Sequence, residues 1–205
     1  MSPATDVNQV RSGLFVWQNY DPSVKADLFS TALETATGLF LIDPIPLTTE
    51  AFDELIGTRK LAGVIVTNAN HHRDSVRQAN RFSLPLFAHV DAALPPEVRQ
   101  LRKLESGTLL GEDLRAIAIE GAAPGEIVLH HEKDNGTMVV GDALINFAPY
   151  GFTFLPAKYC SNGKQMCRSL RQLLDFEFER MLFAHGTPLL NSARKQLQQL
   201  LGSDG

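Results

Sequence analysis

An apolar run that passes abruptly into a polar cluster constrains the fold more than any other part of this sequence. Residues Leu61–Val66 are apolar without alternation, which predicts a strand buried on both faces. Residues 67–75 then read Thr-Asn-Ala-Asn-His-His-Arg-Asp-Ser and precede a helical pattern. Side chains at such a junction lie at the carboxyl edge of a sheet, where open α/β sheets place their binding sites. We therefore expect this polar segment to line the functional site.

The length and charge of the chain exclude several classes of protein. With 205 residues, 44% of them hydrophobic, we expect a single globular domain over residues 1–205. The net charge of -4 provides no positive field, so no nucleic acid is expected as a partner. No uncharged apolar stretch reaches the roughly 20 residues of a membrane-spanning helix. Residues 1–13 lack the apolar core of a secretory signal, so we expect a cytoplasmic protein without membrane association.

Three further segments carry predictions about secondary structure. Residues 84–89 predict an edge strand, because Pro85 cannot donate a ladder hydrogen bond. Residues 95–104 begin with two prolines and predict a helical turn, since their later apolar residues recur at helical spacing. Residues 170–180 predict an amphipathic helix whose leucines face inward.

Two adjacent histidines lie on a predicted strand in the second half of the chain. His130 and His131 point to opposite faces of that strand, and we expect a surface pair. The following Asn135-Gly136 accepts the positive φ angles of a tight turn and predicts a hairpin.

Three polar motifs at predicted strand ends occur in an informative order. They are Thr67-Asn68-Ala69-Asn70-His71-His72-Arg73, Val139-Val140-Gly141-Asp142 and Leu182-Phe183-Ala184-His185-Gly186, with Ala123-Pro124-Gly125-Glu126 before another strand. Over nearly the whole chain this order resembles the metallo-β-lactamase superfamily. The resemblance implies an α/β (α+β) fold, namely a four-layer αβ/βα sandwich of two mixed sheets flanked by helices. It also implies an active site along one edge of the sandwich.

The first motif departs from the pattern of that superfamily. There it runs Thr-His-x-His-x-Asp-His and, with two later histidines and the Gly-Asp aspartate, it binds two metal ions. With Thr67 in register, the residues at the four ligand positions are, in order, Asn68, Asn70, His72 and Arg73. Zinc prefers imidazole, thiolate or carboxylate ligands, so the first metal position is poorly supplied.

The later motifs match the pattern better. Ala122 stands where the family has a histidine before the Pro-Gly turn, whereas Asp142 and His185 match the bridging aspartate and the last histidine. The resemblance therefore implies at most one divalent metal ion, which would be zinc, iron or manganese. Its ligands, and the catalytic residues, would be His72, Asp142 and His185. Asp43 matches a position beneath the metals, although Asp-Pro at a strand end is also a turn former.

Arg73 and the two adjacent histidines leave alternatives open. Arg73 carries a permanent positive charge and could replace the metal by pairing with Asp142, whose burial would otherwise be costly. A shift of register by one residue would turn His71 inward and His72 outward. Either histidine therefore stays a candidate for the pocket.

Two functional classes follow from this resemblance. The first is a hydrolase of unknown substrate, in which metal-activated water attacks an ester, thioester, lactone or similar bond. The second is a metal-free member of the fold that binds a small molecule or a protein without hydrolase activity. Its pocket would be formed by Asn68, Asn70, His71 and Arg73, with Asp43 beneath. Arg73 points to an anionic small molecule, and a homo-oligomer is compatible with the sequence.

Overall fold

A seven-stranded mixed sheet forms the first half of the fold. The computed structural model describes residues 2–202. The strands of this sheet, in spatial order, are β1 (Asn8–Arg11), β2 (Leu14–Asp21), β3 (Ala26–Thr35), β4 (Gly38–Ile42), β5 (Leu61–Val66), β6 (Leu86–His89) and β7 (Leu101–Leu104). Strands β1 to β4 pair in antiparallel fashion, and β4 to β7 pair in parallel. The carboxyl ends of β4 and β5 therefore lie at the same edge.

A five-stranded sheet and a separate hairpin form the second half. The remaining strands are β8 (Leu109–Leu110), β9 (Leu114–Ala118), β10 (Ile127–His131), β11 (Thr137–Val140), β12 (Leu144–Phe147), β13 (Gly151–Phe154) and β14 (Arg180–Phe183). The sheet has the order β14-β11-β10-β9-β8, while β12 pairs with β13. Only β11 and β14 of this sheet pair in parallel, which brings their carboxyl ends together.

Within residues 2–202, four α-helices lie among these strands. They are α1 (Thr49–Ile56), α2 (Ser75–Arg81), α3 (Gly163–Leu170) and α4 (Ala193–Gly202), and 3-10 turns cover Ala157–Tyr159 and Arg171–Asp175. Helix α1 begins where the Thr48 hydroxyl accepts a hydrogen bond from the Ala51 N–H at 3.3 Å. It ends at Gly57, whose φ of +51° suits a residue without Cβ. Among residues 2–202, no helix is long and apolar enough to cross a membrane.

Three apolar clusters separate the layers of this structure. In β5, Ile65 faces a cluster between the two sheets, whereas Val64 faces the cluster that contains α1 and α2. In β10, Leu129 faces the middle cluster and Val128 faces the cluster that contains α3 and α4. This alternation gives the order helices, sheet, sheet, helices. The predicted four-layer sandwich of two mixed sheets is confirmed.

Two predictions that relied on prolines, at β6 and at β7, are wrong. Strand β6 pairs with both β5 and β7, so the predicted edge position is wrong. Pro85 only precedes the strand, and its carbonyl accepts a hydrogen bond from the Val64 N–H at 3.0 Å. The helical turn predicted for residues 95–104 is also wrong, because Leu101–Leu104 pairs in parallel with β6. Pairing with a distant strand therefore overrides the local apolar spacing.

The helix predicted for residues 170–180 has other bounds. The α-helix is Gly163–Leu170, and it begins where the Asn162 side chain accepts a hydrogen bond from the Gln165 N–H at 3.1 Å. Residues Arg171–Asp175 continue as a 3-10 turn. The expected surface pair of histidines is likewise wrong, because His130 and His131 are both buried. The predicted hairpin between β10 and β11 is confirmed by their antiparallel pairing.

Candidate metal centre at the shared edge of the two sheets

Four strand ends place polar side chains at one edge of the sandwich. Asp43 follows β4 and Thr67 follows β5, while Asp142 lies two residues beyond β11 and His185 two residues beyond β14. Because both strand pairs are parallel, these side chains come from carboxyl ends that lie together. A hydrogen bond of 2.8 Å from the Ile127 N–H to the Thr67 carbonyl joins the two halves at this edge.

The His71 imidazole lies between two buried carboxylates. Its Nδ1 atom is 3.0 Å from Asp43 Oδ2, and its Nε2 atom is 3.1 Å from Asp142 Oδ1. Asp43 is itself fixed by the Thr67 backbone N–H at 2.8 Å and by the Thr67 hydroxyl at 2.5 Å. Asp43 thus holds the His71 imidazole in its orientation through Nδ1, in addition to lying at the end of a strand.

His185 is the third member of the group, and its side chain is partly exposed to solvent. Its Nε2 atom lies 3.3 Å from Asp142 Oδ1, and 20% of its side chain is exposed. One donor atom from each of His71, Asp142 and His185 lies within 4.8 Å of the other two. The structure therefore brings together two imidazoles and one carboxylate, with access from the His185 side.

His72 does not take part in this group. The register of the sequence motif placed His72 with Asp142 and His185, but the structure exposes its side chain to solvent. Its Nδ1 atom lies 3.4 Å from the Ala69 carbonyl oxygen. His71 stands in its place: its N–H donates to the Asn68 carbonyl at 3.1 Å in a turn, and its side chain is buried.

Arg73 points inward but does not pair with Asp142 as the sequence suggested. Its guanidinium donates to the backbone carbonyls of Phe29 at 2.5 Å, Asp43 at 3.2 Å and Ala184 at 3.3 Å. Its backbone has a φ of +33°, which is uncommon for a residue with a side chain. Arg73 therefore binds main-chain atoms of both sheets and contributes its charge to the site from a distance.

Asn68 and Glu126 fill the other side of Asp142. Asn68 is fully buried, and its Nδ2 atom lies 2.7 Å from Glu126 Oε2 and 3.1 Å from Asp142 Oδ2. Glu126 also accepts a hydrogen bond from the Ala143 N–H at 3.0 Å. Asn70, by contrast, is exposed and contributes its backbone N–H to Asn68 Oδ1. Sequence reasoning missed Glu126, although a carboxylate at the start of a buried strand is an unusual feature.

The pKa values of the buried groups reflect their mutual charges. Burial and the nearby Arg73 lower the pKa of His71, but Asp142 and Asp43 outweigh them and raise it to about 9. Burial raises the pKa of Glu126 to about 8, and the Asp142 charge acts in the same direction. Despite its burial, the pKa of Asp142 is held below its ordinary value by His71 and His185. Burial lowers the pKa of His185.

The donor chemistry of the site fits one divalent ion. Two imidazoles and a carboxylate form a ligand set that zinc, iron and manganese accept. Ligands with bonds of about 2.0–2.1 Å to a tetrahedral ion lie about 3.3 Å apart. The distances of 3.1 Å and 3.3 Å from His71 and His185 to Asp142 are close to that spacing, and all three donor atoms lie within 4.8 Å of one another.

A second ion of the kind that the superfamily binds does not fit. Its ligands would be sought at Asn68, Asn70 and Ala122, and none of these supplies an imidazole or a carboxylate. Ala122 is buried and carries no donor atom in its side chain.

Comparison with known proteins places the chain in a family. A model described as the metallo-beta-lactamase superfamily matches residues 8–203, and the chain belongs to this superfamily. Among curated proteins, none matches the chain.

Solved structures show the same fold at low sequence identity. DIM-1 metallo-beta-lactamase has a TM-score of 0.76 and 14% identity, with 99% of both chains covered. A metallo-beta-lactamase from Pontibacter korlensis has a TM-score of 0.72 and 14% identity, covering 96% of this chain and 98% of that one. TTHA1623, solved in a di-iron-bound form, has a TM-score of 0.61 and 22% identity, covering 84% and 93%. These similarities support the fold alone.

Proposed function

We propose that this protein is a hydrolase-like member of the superfamily that works with one divalent metal ion. The ligands would be His71, Asp142 and His185, and zinc, iron or manganese would suit them. The observation that carries the proposal is the approach of three donor atoms to within 4.8 Å of one another at an edge open to solvent. Family membership adds to it, because a metal ion at this edge is what the superfamily's pattern implies.

Asp43 has the position of a supporting carboxylate in such a centre. When His71 Nδ1 donates its proton to Asp43 Oδ2, the Nε2 lone pair is directed toward Asp142 and His185. Histidine ligands of metal ions are commonly oriented by a carboxylate in this way. The two hydrogen bonds that Thr67 donates to Asp43, from its backbone N–H and its hydroxyl, keep that carboxylate in place.

The proposed reaction is hydrolysis of an ester, thioester, lactone or similar bond in a small molecule. A divalent ion at these ligands would supply Lewis-acid activation of water and polarisation of a carbonyl group. The chain itself contributes the entry beside His185 and a fixed positive charge from Arg73. The Arg73 donors are engaged by carbonyls, so any preference for an anionic substrate would come from its charge and not from a hydrogen bond.

A second candidate is a metal-free member that binds a small molecule or a protein. The charges of the buried groups favour it, since protonated His71 and Arg73 balance the carboxylates of Asp43 and Asp142 without an ion. In this case the same edge would bind a ligand without hydrolysing it.

Metal content distinguishes the two candidates. The protein is purified without added metal, incubated separately with Zn²⁺, Mn²⁺ and Fe²⁺, freed of excess ion and measured by elemental analysis. We expect one equivalent per chain, retained in His72→Ala and lost in His71→Ala and Asp142→Ala. The exposed His72 is the matched control for its neighbour.

Two results would count against the first candidate. Wild-type protein without metal under all three conditions would leave the metal-free binder as the better proposal. Loss of metal in His72→Ala with retention in His71→Ala would contradict the ligand assignment. Hydrolysis of ester, thioester and lactone substrates is measured on the same samples, and under the first candidate it follows the metal content.

A further inference from the structure

All polar atoms of the Asn68 side chain are engaged at the edge of the site. Its Nδ2 atom lies 2.7 Å from Glu126 Oε2 and 3.1 Å from Asp142 Oδ2, and its Oδ1 atom accepts the Asn70 N–H at 2.8 Å. The oxygen thus faces a donor, and the nitrogen faces two carboxylate oxygens, with the His71 Nδ1 atom also 3.3 Å from it. This pattern determines the orientation of the amide.

The nitrogen of this amide cannot bind a further ion. An amide NH₂ group presents hydrogens, and not a lone pair, to its neighbours, so it cannot serve as a metal ligand. At Gly141, an added Cβ would lie 2.7 Å from Thr67 Oγ1, 2.8 Å from Glu126 Oε1 and 3.1 Å from Asn68 Nδ2. The side chains therefore pack directly against the backbone, which explains why this position has no side chain.

Two buried carboxyl groups lie on either side of the Asn68 side chain. Glu126 and Asp142 are both buried, and neither could stay near the other without a cation, a proton or a hydrogen-bond donor. In this chain the donor is the neutral amide of Asn68.

We propose that the Asn68 amide takes the place of the second metal ion of the superfamily and restricts the site to a single ion. Its two N–H groups bind the carboxyl groups of Glu126 and Asp142. By holding Asp142 Oδ2, they leave Oδ1 directed at His71 and His185. Asn68 is in this sense a positioning residue. Glu126 would become a metal ligand only when the Asn68 amide is removed. The inference rests on the proposed function, because it explains why one ion is bound and not two.

The substitution Asn68→Asp tests this inference. It removes both N–H groups and places a third carboxylate beside Glu126 and Asp142, with almost no change in shape. We expect the metal content after incubation with Zn²⁺ or Mn²⁺ to exceed that of the wild type by one equivalent per chain. We also expect a lower melting temperature without metal and a larger rise of that temperature when the ion is added, because an ion would relieve the repulsion.

Asn70→Asp is the matched control. It makes the same chemical change two residues away, on an exposed side chain, and should leave the metal content equal to that of the wild type. Equal metal content in Asn68→Asp and Asn70→Asp would overturn the inference. If Asn68→Asp folds only when metal is present, judged by circular dichroism, the inference is supported.

A second variant covers the case in which Asn68→Asp does not fold under any condition. Asn68→Ala also removes the N–H groups but adds no charge, and the inference expects it to take up more metal than the wild type. Unchanged uptake by this variant would then overturn the inference. The proposed function is judged separately, from the wild-type content alone: a wild type without metal overturns the proposed function, whereas one equivalent in the wild type with no gain in the Asn68 variants overturns only the inference.

Discussion

The Nε2 atom of His71 lies 3.1 Å from the Oδ1 atom of Asp142, and both side chains are buried. This contact joins a residue from the turn after β5 of the first sheet to a residue beyond β11 of the second. A histidine in such a place can be a metal ligand when neutral or an ion-pair partner when protonated, but not both at once. The chemistry of the whole site therefore depends on which of the two states His71 adopts.

Removing the charge of Asp43 should weaken metal binding. In Asp43→Asn the acceptor for His71 Nδ1 becomes neutral, so the imidazole loses its strongest orienting partner. We expect the metal dissociation constant to rise about 10- to 100-fold, as is typical when such a supporting carboxylate is lost. Competition with a chelator of known affinity measures this change. Asp53→Asn, on the exposed face of α1, should bind metal as the wild type does; equal affinities in all three proteins would refute a supporting role for Asp43.

Replacing Arg73 by lysine should destabilise the fold. A lysine ammonium cannot reproduce the fork that reaches the carbonyls of Phe29, Asp43 and Ala184. We expect the free energy of unfolding in urea to fall by about 2–4 kcal/mol, since hydrogen bonds to charged groups contribute about 1.5–3 kcal/mol each and some are regained. The exposed Arg99→Lys should change it by less than about 0.5 kcal/mol. Similar stabilities for the two variants would show that the contacts of Arg73 are dispensable.

The metal-free protein should lose stability as the pH rises above neutrality. The pKa of His71 is raised to about 9 in the folded state, against about 6.5 in an unfolded chain. Its contribution is complete below pH 6.5 and is lost as the pH approaches 9, because only the folded state holds the proton in that range. The free energy of unfolding should therefore fall by about 1.4 kcal/mol per pH unit for this group. Glu126, with its pKa raised to about 8, acts in the same direction up to that pH.

Urea titrations from pH 6 to 9 in the presence of a chelator measure this dependence. His71→Gln should show a shallower decline, whereas His72→Gln should match the wild type because its side chain is exposed. A decline of equal slope in His71→Gln and the wild type would mean that His71 does not carry the extra proton.

Local pattern was sufficient to predict much of the fold. The strand at Leu61–Val66 follows from an unbroken apolar run, because both of its faces pack in clusters of buried residues. The hairpin around Asn135 follows from φ angles that few other residues accept. Strand β7 could not be predicted in this way, since Leu101 is 41% exposed and the strand is defined by its pairing with β6.

The site was less predictable than the fold for a physical reason. Whether His71 or His72 points inward is decided by backbone dihedrals in a turn, including the φ of +33° at Arg73, and these leave no mark in the residue types. The contact between Asn68 and Glu126 spans 58 positions of sequence. Motif order could indicate which strand ends meet, but not which atoms at those ends touch.

The Arg73 guanidinium joins carbonyls at β3, at the end of β4 and at the end of β14, and so connects the two sheets without any bound ion. An arginine keeps its charge at every pH used to handle proteins and cannot be extracted by a chelator. The pocket edge should consequently keep its shape when a metal ion is removed. This makes the protein suited to reconstitution experiments, in which one apo preparation is loaded with different ions in turn and each is compared on the same scaffold.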